Sequence, residues 1–222
     1  MFFLDSADLS EIDTILSRGL ASGVTTNPTL LMKACSDAPL QHLRLIISKM
    51  IGYSPTLPLS VQVMTSNPLE MREQALRLRD YLKYEHLVIK IPVGWDEVMA
   101  IYQLSREGVW VNCTCCMTEV QVSLAANAGA KFASIFYGKA SDAGIDPYAL
   151  VRNSIAMLKT ANVNCKLIVG SIRTPWVVTE IIRAGADIIT APAECFKSLI
   201  HNDKTKEAID FFTKSFPEEP WI

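Results

Sequence analysis

Short apolar runs alternate along the chain with longer stretches in which apolar residues recur every three or four positions. The short runs are FFLD (2–5), GVTT (23–26), LSVQV (59–63), LVIK (87–90), VWVNCT (109–114), FASIF (132–136), KLIVGS (166–171) and DIIT (187–190). Each has strand length, and most end in small or polar residues. The stretches between them predict helices over Pro68–Leu82, Trp95–Arg106, Thr118–Ala128, Pro147–Ala161, Pro175–Ala184 and Ala193–Ile200. Several open on proline, whose fixed φ and missing donor suit a first helical turn. Eight strand-then-helix units within 222 residues imply parallel strands with right-handed crossovers. The expected fold is α/β: a single, compact (β/α)8 barrel over 1–201, followed by an additional C-terminal helix and tail over 202–222. An open doubly wound sheet competes, but no Gly-rich phosphate turn follows FFLD. The last helical stretch, Asn202–Ser215, has no strand partner, and the tail FPEEPWI ends in apolar residues. Both are expected to pack against another subunit or to cover their own barrel.

Half the residues are hydrophobic, ample for one core. A net charge of −2 without basic runs argues against a nucleic-acid or anionic-membrane surface. The start, MFFLDSADLS, lacks the basic and long apolar regions of a signal peptide, and no apolar run suggests a membrane span. The cytoplasm is therefore the expected compartment. The six cysteines read as reduced, buried thiols. In CTCC (113–116), strict alternation would direct Cys113 and Cys115 to one face and Cys116 to the other, with no second cluster at zinc spacing.

In a barrel, the C-terminal strand ends carry the chemistry. Here they present Asp5; Thr25, Thr26 and Asn27; Gln62; Lys90; Asn112 and Thr114; Ser134 and Phe136; then Ser171 and Arg173. A barrel without a ligand does not require so many hydrogen-bonding groups there. Lys90 stands out, because it interrupts an aliphatic strand, and an unpaired ammonium is costly to remove from water. Alternation sets Val88 and Lys90 on one face and Leu87 and Ile89 on the other. Desolvation favours the neutral amine, a nucleophile toward carbonyls; a snorkelling lysine or a structural ion pair with Asp5 is the plainer reading. Asp8 is the better cap for the first helix, leaving Asp5 free to move a proton. Asn27 precedes Pro28 and suits a turn or cap. The loop of Ser171 and Arg173 suits a phosphate, while a solvent-facing Arg173 is the alternative.

FFLDSAD, GVTTNPTLL, LVIKIPV, VNCT, GKASDAGID, GSIRTP and AGADIITAP follow in order from residue 2 to about 192, and together they resemble the small transaldolase family, which includes the fructose-6-phosphate aldolases. The resemblance implies a barrel whose fourth-strand lysine, Lys90, forms a Schiff base with the ketone of a ketose phosphate. It implies that Asp5 moves the proton of the substrate C4 hydroxyl, and that Thr114 and Gln62 hold the water of imine formation. Asn27 and Asn112 would bind the dihydroxyacetone hydroxyls, and Ser171 and Arg173 the phosphate. Thr26, Ser134, Phe136 and Lys139 complete the expected substrate-binding set. Gln62 resembles the aldolase branch and Phe136 the transaldolase branch, and Lys139 stands where the family normally has a phosphate-binding arginine. The implied function is a transaldolase that transfers a dihydroxyacetone unit from fructose 6-phosphate or sedoheptulose 7-phosphate to an aldose phosphate. The alternatives are an aldolase releasing free dihydroxyacetone, a Schiff-base aldolase for another phosphorylated sugar, and a non-catalytic sugar-phosphate-binding barrel. No cofactor or metal is expected, and the family resemblance implies a homo-oligomer, a pentamer or decamer.

Overall fold

The eight apolar runs become eight strands that close on themselves. The structure, a computed structural model, describes residues 1–215. Its strands are β1 (Phe2–Asp5), β2 (Val24–Thr25), β3 (Leu59–Gln62), β4 (Leu87–Pro92), β5 (Trp110–Cys116), β6 (Phe132–Phe136), β7 (Lys166–Gly170) and β8 (Ile188–Ala191). They pair in sequence order as a closed barrel, and β1 pairs in parallel with both β2 and β8. This is the (β/α)8 barrel that the alternation predicts.

The helices packed outside are α1 (Leu9–Leu16), α2 (Pro28–Ala34), α3 (Pro39–Tyr53), α4 (Pro68–Leu82), α5 (Glu97–Arg106), α6 (Glu119–Asn127), α7 (Tyr137–Asp142), α8 (Pro147–Ala161), α9 (Trp176–Ala184) and α10 (Ala193–Ile200). Pro28, Pro39, Pro68 and Pro147 occupy first turns, as their fixed φ favours. Helix α6 closes its N-terminus with a capping box between Thr118 and Gln121. Helices α3 and α7 were not anticipated. Helix α3 adds a second helix to the β2–β3 connection, burying Leu43, Ile46, Ile47 and Met50. The short α7 lies directly on the end of β6 and carries Lys139.

Two apolar layers result from the period-two alternation. Leu87, Ile89 and Ile91 face the helices within the main core. Phe3, Val88, Phe132, Ile168 and Ile188 face inward and form a separate plug, with Trp110 against it. Burying such side chains contributes about 1.5–3 kcal/mol each, and the plug leaves the barrel dry beneath whatever stands above it. Two positions further along, the same strands present Asp5, Lys90, Ser134, Gly170 and Thr190, with Asn112 two beyond Trp110. The interior thus changes from apolar to polar in one step toward the C-terminal ends.

A final helix, α11 (Asp203–Lys214), is capped by Asn202 and buries none of its residues. Ile209 is 58% exposed and Phe212 62%. Phe216 and the rest of the apolar tail lie outside the described residues. Among the described residues, no helix is long and apolar enough to cross a membrane.

Gly23 packs against the plug: a Cβ there would lie 2.7 Å from the Phe3 ring. That ring is buried and has no open side. Gly23→Ala is expected to destabilise the barrel by about 1–3 kcal/mol, read as a lower urea midpoint at unchanged slope.

Candidate active site

The polar layer encloses a cavity of about 260 Å³ lined by Asp5, Thr25, Asn27, Lys90, Asn112, Thr114, Ser134, Phe136, Lys139, Ile168, Gly170, Ser171 and Thr190. Nine of these residues are ones that the sequence singles out as site candidates, contributed by six strands and the segments after them.

Lys90 is 6% exposed. Its Nζ donates to the backbone carbonyl of Thr26 at 2.7 Å. Among the described residues it makes no ion pair with Asp5, so the structural ion-pair reading fails. One bond to a charged donor contributes about 1.5–3 kcal/mol, while desolvating an ammonium costs several. Burial prevails and lowers the Lys90 pKa, against the opposing influence of Asp5 and Cys115. The same burial raises the pKa of Asp5, more than Lys90 and the hydroxyl of Thr25 lower it. Both shifts favour the neutral members of the pair.

Asp5 is free for this role because Asp8 caps α1, accepting from the amides of Ser10 and Glu11 at 2.8 and 3.0 Å. Asn27 is the expected cap and also lines the cavity. Its Oδ1 accepts from the Leu30 amide at 3.0 Å and caps α2, which leaves its NH2 group to offer a ligand. Ser134 Oγ donates to Asn112 Oδ1 at 2.7 Å. Asn112 Nδ2 and Thr114 Oγ1 are buried without a partner among the described residues. Buried polar atoms are nearly always paired, so a hydroxylated ligand that bonds both would remove their cost.

Three candidates stand apart from the cavity lining. Thr26 Oγ1 donates to the Ser60 carbonyl at 2.8 Å, so this residue contributes its backbone oxygen to Lys90 rather than its side chain to a ligand. Gln62 is the register neighbour of Lys90 on β3 and shares its interior face, just outside the lining. Arg173 forms a two-pronged ion pair with Asp142 at the surface. Ser171 does line the cavity, held at φ +59° with its carbonyl accepting from the Gly138 amide at 3.1 Å. A Cβ at Gly138 would meet that carbonyl at 2.6 Å, so only glycine permits the approach of α7 to the β7 loop. Lys139, on α7, is thereby brought to the cavity.

The thiol alternation is corrected. Strand β5 carries a bulge: Cys113 pairs with Ala133 but Cys116 with Ile135, and Cys115 takes up the extra residue at φ +67°. The slip returns Cys116 to the face of Cys113, with the two sulfurs 3.9 Å apart and both buried. All six cysteines are free thiols; Cys35 and Cys115 are only partly buried.

The cavity also contains Thr25, Thr190, Gly170 and Ile168. The sequence sets Thr25 at a strand end without assigning it a role, and Thr190 lies outside the residues it singles out. Carrying the inward alternation from Ile188 to the next inward position of β8 would have found it.

The residues match a known pattern. A family model described as Transaldolase/Fructose-6-phosphate aldolase covers residues 2–219. A "Probable transaldolase" of Cereibacter sphaeroides is 33% identical over 211 residues, 95% of this chain and 93% of that protein. One from Carboxydothermus hydrogenoformans is 35% identical over 210 residues, 95% and 94% of the two chains. Among solved structures, a thiamine phosphate pyrophosphorylase from Pyrococcus furiosus superposes with a TM-score of 0.60 at 10% identity, over 86% of this chain and 84% of that one. A mandelate oxidase superposes with 0.61 at 12%, over 94% and 71%. At such identities the structural likeness concerns the fold alone. The whole-length family match and the relatives go further, and with them this chain is an enzyme of the transaldolase/fructose-6-phosphate aldolase family.

Proposed function

We propose that the protein is a transaldolase that carries a dihydroxyacetone unit on Lys90 from a ketose phosphate to an aldose phosphate. The observation that carries this reading is the desolvated Lys90 amine beside Asp5 in a cavity with two unpartnered buried donors. The neutral amine attacks the C2 ketone, and loss of water gives an iminium. The Asp5 carboxylate takes the C4 hydroxyl proton, the C3–C4 bond breaks, and its electron pair flows into the iminium to give an enamine. The aldose phosphate leaves, and the enamine attacks an acceptor aldehyde. Electron withdrawal by the iminium lowers the barrier. Thr114, with Gln62 beside Lys90, is suited to hold the water, Asn27 and Asn112 the substrate hydroxyls, and Lys139 with Ser171 the phosphate. Lysine supplies charge but no planar fork, so the phosphate is held less directionally than by arginine. Arg173 would join that site by exchanging Asp142 for phosphate.

Transfer is favoured over release because Phe136 lines the cavity without a hydroxyl to hold a hydrolytic water, and because the relatives at 33–35% identity are named probable transaldolases. Release of free dihydroxyacetone is the second reading, and it rests on Gln62.

The exposed apolar side of α11, with Ile209 and Phe212, supports a further proposal: 202–222 is a subunit-contact segment appended to the 1–201 barrel, and the enzyme is a homo-oligomer.

Borohydride with fructose 6-phosphate is expected to leave a reduced three-carbon adduct on Lys90, seen by intact mass and peptide mapping and discharged by erythrose 4-phosphate. Lys90→Met should abolish it and reduce turnover by about 10³-fold or more. Absence of any adduct with ketose phosphates would sink the mechanism. The adduct-forming rate should rise with pH to a midpoint below the ordinary lysine range, because burial lowers the Lys90 pKa and the neutral amine reacts. Phe136→Tyr is expected to raise acceptor-independent release of dihydroxyacetone by roughly tenfold, the value of one well-placed hydrogen bond. Deleting 202–222 should shift the enzyme to smaller species on a sizing column; unchanged size would exclude that segment as the contact.

A further inference from the structure

We propose that Thr190 is a positioning residue for Asp5, acting through Thr25 in a chain of two hydroxyls whose direction follows the charge of the carboxyl. This rests on the reading of Asp5 as the proton-transferring group.

Thr25 Oγ1 lies 2.8 Å from Asp5 Oδ1 and 2.5 Å from Thr190 Oγ1. An ionised carboxylate only accepts, and each hydroxyl has one proton. With Asp5 ionised, the Thr25 proton therefore goes to Asp5, and the Thr25–Thr190 contact can use only the proton of Thr190. The order is Thr190 to Thr25 to Asp5. Thr25 and Thr190 are 2% and 7% exposed, so bulk water is a poor substitute for either. A proton arriving on Asp5 Oδ1 inverts the order: Asp5 donates to Thr25, and Thr25 to Thr190. Each step of proton transfer thus keeps both contacts hydrogen-bonded, without moving a heavy atom. The ionised state gains more, because bonds to a charged acceptor are about twice as strong. The intact chain holds Asp5 ready as a base.

The chain crosses the seam where the barrel closes. Asp5 is the register partner of Thr25, while β8 flanks β1 on its other side. Neither β2 nor β8 carries a charged side chain. Lys90 from β4 is the charged group acting on Asp5, and Lys139 from α7 is the other cation lining the cavity. On the α1 side, Asp8 is occupied as the cap, and Glu11 accepts from Ser6 Oγ at 2.5 Å. The setting of Asp5 against Lys90 is thus left to the two threonines.

The test is a carbon-13 NMR titration of the Asp5 carboxyl, assigned with Asp5→Asn, in the wild type, Thr190→Val and Thr190→Ser. Removing the terminal donor weakens support for the carboxylate. Thr190→Val should therefore raise the Asp5 midpoint by about 0.5–1 pH unit, and Thr190→Ser should restore it. In parallel, C–C cleavage by Thr190→Val should fall about 3- to 10-fold at neutral pH. Its acid limb should move to higher pH, while cyanoborohydride trapping of dihydroxyacetone on Lys90 keeps its wild-type rate. An unmoved carboxyl midpoint in Thr190→Val would overturn the proposal. So would a Thr190→Ser that behaves like Thr190→Val, since the methyl packing and not the hydroxyl would then be responsible. If Lys90 traps no ketone, the proposed function falls, and the carboxyl titration still decides the chain.

Discussion

The amine of Lys90, buried with one carbonyl to hold it, is the constraint around which the site is arranged. The Thr26 oxygen offsets part of the desolvation and fixes where the nitrogen points. It does not offset all of it, and the shortfall shifts the amine toward its neutral form. Asp5 meets the same dry surroundings from the other side, and burial pushes it toward its neutral form. Two groups that in water would be a lysinium and a carboxylate are thus each shifted toward the neutral form.

That dryness depends on the layer below. Phe3, Val88, Phe132, Ile168 and Ile188 seal the barrel, so water can reach the polar layer only from the mouth. The plug and the polar layer lie two positions apart on the same strands, and the boundary between them is sharp because strand geometry permits no intermediate position. The outward-facing residues between them, such as Ile89 and Ala133, anchor each strand to the helices and hold the register. Core packing and site placement are therefore the same physical arrangement seen on opposite faces of each strand.

Where backbone departs from regular strand geometry, it does so beside the cavity. The bulge at Cys115 bends β5 immediately after Thr114, and the φ of +59° at Ser171 turns the β7 loop against Gly138. These two irregular points stand next to Thr114, proposed above to hold water, and to the loop proposed to hold phosphate. Local strain at such positions persists only when the surroundings over-determine it. Here Cys113 and Cys116 packed on the outside, and the Gly138–Ser171 contact on the inside, supply that support.

The amino-acid pattern by itself determined the barrel, the strand ends that meet in it, and the shared face of Val88 and Lys90. All three follow from periodicity, which is a local property of the chain. Asp8 as the α1 cap was likewise legible, because capping is read within four residues. Only the tertiary structure decided which strand-end side chains face the cavity together and which are committed elsewhere. Arg173 is bound to Asp142, 31 positions away, Thr26 spends its hydroxyl on Ser60, and Thr25 meets Thr190 across 165 residues of chain. Cys116 returned to the face of Cys113 because one extra residue was accommodated in β5, a matter of register with β6. Such pairings are set by closure of the barrel, which brings the last strand to the first, and no local period encodes that juxtaposition.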